Sequence, residues 1–239
     1  MNTHSPRTVP NSEARSRFED LVQINIAAGL IEGSLAIPQP ALGAVIFAHG
    51  SGSSRHSPRN RFVADALHRA GLATLLVDLL TAEEDRQDAA TAEYRFDIGL
   101  LADRLSAATD WMTLTCAKHD FRFGYFGAST GAAAALVAAT HQSKIAAIVS
   151  RGGRPDLAGA SLKRVRAATL LLVGSRDSQV IELNRIAYDQ LQEASARELR
   201  IIPGATHLFT EPGTLEQVAQ MGAQWFVRHL SPTSHVAIS

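Results

Sequence analysis

A single cysteine, Cys116, stands in 239 residues, which excludes an internal disulfide framework and fits a reducing compartment. Charge of one sign is missing too: 23 Lys plus Arg balance 23 Asp plus Glu. Without a long basic run the chain lacks the field that holds a phosphate backbone, so nucleic acid is not expected as a partner. No stretch is apolar for long enough to cross a bilayer, and the opening MNTHSPRTVPNSEARSR has no apolar h-region. A cytoplasmic protein with no membrane partner is expected, with residues 1–18 as a flexible tail and residues 19–239 as one domain. Its nine histidines show no H-E-x-x-H or other metal spacing, so no metal is expected. Repeats and low-complexity segments are absent as well.

What is there is 46% apolar, enough for one large core. LVQINI and LIEGSLAIP, separated by Ala-Ala-Gly, read as an antiparallel hairpin supplying two edge strands. From there strand and helix alternate. AVIFAH precedes SPRNRFVADALHRAG, LATLLVDLL precedes a long helix from about Ala92 to Ala117, and FRFGYFG precedes STGAAAALVAAT. KIAAIVS leads to a loop and a short helix, ATLLLVG to a helix near Val180–Glu193, and ELRIIPG to a last helix ending near Leu230. The later strands are apolar without alternation, so helices should cover both faces of a mainly parallel sheet. Ser57 as N-cap, Pro58 in the first turn and Gly71 after the end delimit the first helix, with Phe62, Val63, Ala66, Leu67 and Ala70 as its apolar stripe. Cys116, Trp225 and Phe226 read as packing residues.

In such sheets ligands sit beyond the carboxyl ends of the strands. Directly after FRFGYF stands Gly127-Ala128-Ser129-Thr130-Gly131, a G-x-S-x-G between strand and helix. A sharp turn there pushes the serine oxygen out of the sheet, and the glycines leave room where side chains would collide. Asp177 follows ATLLLVG, and His207 follows ELRIIPG. The order Ser, Asp, His is the one this kind of fold uses. A serine hydroxyl is a poor nucleophile until a neutral imidazole accepts its proton, and a carboxylate must hold that imidazole in the right tautomer. Ser129, His207 and Asp177 are therefore the candidate nucleophile, base and orienter. Taken singly, Ser129 and Asp177 could be helix caps and His207 a surface residue; their coincidence behind the correct strands favours catalysis. The glycine-rich turn His49-Gly50-Ser51-Gly52-Ser53-Ser54 leaves backbone N–H groups free for a ligand. The amide of Ser51, with Gly52 as a competitor, is expected to pair with that of Thr130 as an oxyanion hole. His49 itself is expected to be structural.

FAHGSGSSRHSPRN, the GASTG turn, SRGGRP and GATHLF together resemble the α/β-hydrolase superfamily, specifically its small dienelactone-hydrolase-like members. The resemblance covers nearly all the chain after the tail. It implies an eight-stranded sheet, the Ser129–His207–Asp177 triad and no cofactor. True dienelactone hydrolases carry cysteine where this chain has Ser129, so esterase activity is the safer inheritance.

Only the stretch from Arg151 to Ala167 separates KIAAIVS from ATLLLVG, too short for a cap domain, and an open site for small soluble acyl esters follows. Arg55, His56 and Arg59 on one loop, and Arg151 and Arg154 on another, could bind a substrate carboxylate or phosphate, with Gly52, Arg55 and Arg151 as candidate substrate contacts. They could equally be solvated charges, or one could pair with Asp156 or Glu83. Gly50-Ser51-Gly52 followed by Asp78 partly matches a dinucleotide fingerprint, but Arg55 holds the third glycine position. A non-catalytic binding protein, or an acyltransferase or thioesterase using the same triad, remain the other readings. Oligomeric state is not legible.

Overall fold

The structure is a computed structural model describing residues 20–232; the expected tail lies outside the described residues. Eight strands form one sheet in the order β1-β2-β4-β3-β5-β6-β7-β8. The hairpin of β1 (Asp20–Ile26) and β2 (Gly29–Ala36) is antiparallel, and β2 also runs antiparallel to β4 (Leu72–Val77). Of the hairpin, only β1 is therefore an edge strand; β2 is paired on both sides, which corrects the expectation of two edge strands there. The remaining ladders join β3 (Gly43–Ala48), β5 (Phe123–Ala128), β6 (Ile145–Arg151), β7 (Ala168–Gly174) and β8 (Arg197–Ile202), all parallel.

Every residue of β3, β4, β5 and β7 is buried, as unalternating apolar strands require. Two cores result. Val45, Phe47, Leu172 and Phe126 pack under α1 (Pro58–Arg69) and α6 (Thr214–Leu230), where Trp225 and Phe226 belong. Ile46, Tyr125, Ile148 and Leu171 pack under α3 (Ile98–Thr115), α4 (Thr130–Ala139) and α5 (Ser178–Gln190), with buried Cys116 among them. Burial pushes the Cys116 thiol pKa up, the state of an inert packing cysteine.

Two local expectations are corrected. The α1 stripe is Asn60, Val63, Ala64 and Leu67, rotated from the expected set, and Phe62 is left exposed. The long helix expected from Ala92 starts at Ile98, capped by Asp97, and a separate α2 (Ala82–Thr91) precedes it. Ala92 is in fact the left-handed residue that ends α2. α2 is almost wholly polar and shows no apolar stripe, but Thr81 and Glu84 form a capping box that its sequence spells out.

Between β6 and β7 the chain makes only a ten-residue 3-10 segment, Pro155–Arg164, kinked at Gly159. No cap domain is present among the described residues.

Candidate active site

β5 delivers Ser129 to the carboxyl edge of the sheet, and α4 leaves immediately. The turn is tight enough that Ser129 sits at φ 51°, ψ −122°, a backbone region that favours glycine. Its amide donates to Arg151 O at 3.3 Å, and its carbonyl accepts from Ala132 N and Arg154 N at 3.1 and 3.0 Å. The strain is thus held by both neighbouring segments. The flanking glycines are steric necessities: a Cβ on Gly131 would lie 2.2 Å from Ala48 O, and one on Gly127 would lie 2.4 Å from Ala132 Cα. Ser129 makes no side-chain capping hydrogen bond to its helix, so its hydroxyl is not spent on the cap that a merely structural serine would make.

Asp177 begins α5 from the N-cap position yet gives its helix no side-chain cap. Its Oδ2 instead meets His207 Nδ1 at 2.6 Å. A short Nδ1–H···O⁻ bond places the ring proton on Nδ1 and leaves Nε2 as the acceptor. The His207 side chain is 39% exposed and that of Asp177 16%, so solvent and ligands reach the imidazole. His207 stands beside the elbow: a Cβ on Gly152, the residue after the backbone partner of Ser129, would lie 3.6 Å from His207 Cε1.

Three residues around His207 escaped the sequence reading. Glu211 Oε2 accepts the Thr206 amide at 3.0 Å, and that bond holds its carboxyl below the usual range. Phe209, buried, takes φ 54°, an uncommon conformation for an aromatic. Asn184, fully buried, donates to Gly153 O at 3.0 Å and Val180 O at 2.8 Å, tying α5 to the loop after β6. None carries a recognisable signature: Glu211 acts within the His207 loop itself, Asn184 through a carbonyl thirty-one residues away, and Phe209 through a backbone angle.

The oxyanion loop needs a correction. The Ser51 amide, expected to be free, donates to Thr130 Oγ1 at 3.1 Å, and the two hydroxyls are 3.0 Å apart. Gly52, at φ +65° and exposed, makes the turn that follows. Thr130 opens α4, and the first amides of a helix have no intrahelical acceptor. His49 is structural, as expected: Nε2 accepts from Leu79 N at 3.1 Å while Nδ1 donates to Gly50 O at 3.0 Å.

The arginines separate. Arg55 is consumed by ion pairs, its amide donating to Asp78 Oδ1 at 2.6 Å, its guanidinium meeting Asp78 Oδ2, and Nη2 lying 2.6 Å from Glu32 Oε2. This overturns Arg55 as a substrate contact and removes Asp78 as a ribose acid. Arg154 pairs with Asp156, and Glu83 with Arg86. Arg151 is different: it is 8% exposed and its side chain, among the described residues, hydrogen-bonds only Asn60 Oδ1, at 3.4 Å. A cleft of about 510 Å³ lined by Glu32, His49, Ser53, Arg55 and Asp78 lies on the outer side of the oxyanion loop, not over His207.

A mainly parallel eight-stranded sheet with a serine on a strained strand-to-helix turn defines the α/β-hydrolase fold. The sequence model of the dienelactone hydrolase family matches residues 31–228, and the chain belongs to that family. A crystal structure of a dienelactone hydrolase from Anabaena variabilis is 55% identical, with a TM-score of 0.85, over 89% of this chain and 98% of that one. An esterase from Pyrococcus furiosus, 18% identical with a TM-score of 0.74 over 95% of this chain and all of that one, shares the fold. Two Mycobacterium tuberculosis proteins, provisionally named as phosphoribosyl transferases, are 54% identical over 211 residues, 87% of this chain. The chain spans about half, 46%, of the length of those curated relatives.

Proposed function

We propose that the chain is a serine carboxylesterase acting on small, soluble acyl esters through an acyl-Ser129 intermediate. The observation that carries the reading is the 2.6 Å bond between Asp177 Oδ2 and His207 Nδ1, made beside a serine held on a strained elbow. Ser129 Oγ attacks the ester carbonyl carbon as His207 Nε2 takes its proton, and the tetrahedral oxyanion forms. The Thr130 amide is one donor to that oxyanion; the Ser51 amide becomes the other when it exchanges Thr130 Oγ1 for the substrate oxygen. Asp177 stabilises the imidazolium, which gives its proton to the leaving alkoxide as the ester C–O bond breaks. Water, deprotonated by His207, then attacks the acyl-enzyme and releases the acid.

The absence of a cap domain among the described residues and the exposure of His207 support small soluble substrates over long-chain lipids. The balanced charge and single cysteine support a cytoplasmic setting. The transferase name of the mycobacterial proteins is not carried over, because the matched residues are less than half of them.

A fluorophosphonate probe tests the nucleophile without knowledge of the substrate. Adduct mapped to Ser129, absent from Ser129→Ala, together with faster turnover of p-nitrophenyl acetate or butyrate than palmitate, is the expected result. Folded protein that takes no label would reject the mechanism and favour a non-catalytic binding protein.

A further inference from the structure

Arg151 is the last residue of β6, and its carbonyl accepts the Ser129 amide. Along a strand side chains alternate between faces. Ser150 points toward α4, since a Cβ on Gly153 would fall 2.0 Å from Ser150 Oγ and 2.6 Å from Ala132 Cβ. Arg151 therefore projects to the opposite face, where it meets Asn60 in the first turn of α1. That turn directly follows the oxyanion loop, and His207 overlies the next residue, Gly152. The Arg151 side chain thus leaves the strand at the residue that holds the Ser129 amide and reaches the first turn of α1.

Nothing there neutralises it. Nε and Nη1 of Arg151 are buried without a partner, and so is Nε of Arg59. Neither arginine has an ion pair among the described residues, although Arg55, Arg95 and Arg154 nearby have each found a carboxylate. Burial first, and then the like charge of Arg59, push the Arg151 pKa down to about 10. Leaving a guanidinium buried and unpaired beside a second one is costly, and an arrangement of this kind is stable when an anion completes it. The planar fork of guanidinium donors suits carboxylate and phosphate oxygens alike. α1 is twelve residues long, and its N-terminal end adds the same sign of potential.

We propose that Arg151 and Arg59, at the N-terminus of α1, form an anion subsite beside Ser129 that takes a carboxylate or phosphate oxyanion carried by the substrate. The assignment to the substrate rests on the esterase reading; the anion site itself does not. The substrates selected are then small esters bearing a negative charge on the acyl or alcohol part.

The test uses the full chain carrying Ser129→Ala, so that binding is read without turnover. Thermal unfolding is followed with glutarate or inorganic phosphate, at constant ionic strength set with chloride. Either anion should raise Tm, and Arg151→Met should abolish the rise. In the chain with Ser129 intact, kcat/KM for mono-p-nitrophenyl glutarate relative to p-nitrophenyl butyrate should fall about 10- to 100-fold on Arg151→Met. Phosphate or glutarate binding without that ester preference would support the site and assign it to a free anion. No Tm rise with either anion would overturn the proposal, whatever the esterase assay shows. If Arg151→Met does not fold, Arg59→Gln, at a partly exposed position, carries the test. A Tm rise it leaves undiminished would equally refute the subsite.

Discussion

Replacing Ser129 with glycine should make the protein more stable while removing its nucleophile. Ser129 is held at φ 51°, ψ −122°, and a non-glycine residue in so sparsely populated a region costs about 1–3 kcal/mol. Glycine relieves that strain but adds freedom to the unfolded chain, worth about 0.4–1 kcal/mol in the other direction. No capping hydrogen bond is lost, because the Ser129 side chain makes none. The net gain is about 0.5–2 kcal/mol, or a Tm rise of about 1–8 °C for a chain of this size. Ser129→Ala is the control: it deletes the same oxygen but keeps a Cβ in the strained conformation, so its Tm should barely move. Urea unfolding and calorimetry on the three proteins read the difference. If glycine proves no more stable than alanine, the elbow is not strained and the geometric case for Ser129 as an activated nucleophile loses its support.

Gly131→Ala forces a Cβ to 2.2 Å from Ala48 O and should cost about 3 kcal/mol in urea unfolding; a loss under about 1 kcal/mol would mean that α4 can move off β3. Asp177→Asn removes the carboxylate that selects the His207 tautomer, so kcat on an ester the wild type cleaves should fall by about four orders of magnitude, with the fold unchanged by circular dichroism. A fall of less than tenfold would show that Asp177 does not orient the base. Asp88 anchors Tyr94 and Arg95 N–H groups and the Arg95 guanidinium at 2.7–2.9 Å, and Arg95 O accepts the Ser51 hydroxyl at 3.3 Å. Burial alone would raise the Asp88 pKa, but those hydrogen bonds outweigh it and the net shift is downward from 3.8. Its contribution is therefore fully present above the unfolded value near 3.8 and lost as pH falls through the lower folded value. Asp88→Ala should cost about 3–5 kcal/mol at pH 7 and flatten the loss of stability on acidification, as read by urea unfolding at pH 2–7; equal acid sensitivity in the variant would refute the assignment.

The sequence by itself determined the class of fold and the three polar residues of the candidate site. Unalternating strands demanded a covered parallel sheet, and Ser129 directly follows a strand while Asp177 and His207 lie in the loops that follow theirs. α2 was missed although Thr81 and Glu84 spell out its cap, because the helix lacks the apolar stripe that draws attention. What only the tertiary structure decided was how the polar groups pair. Asp177 could cap α5 or orient His207, and the choice depends on a loop thirty residues away. Arg55 and Arg151 look alike as arginines after strands, yet Arg55 finds Asp78 and Glu32 while Arg151 finds no carboxylate among the described residues. The Ser51 amide, free by its position in a glycine-rich turn, is taken by the Thr130 hydroxyl at the start of α4. Backbone periodicity is a property of neighbours along the chain and can be read from them; hydrogen bonds and ion pairs depend on distances that exist only once the sheet has brought separate loops together.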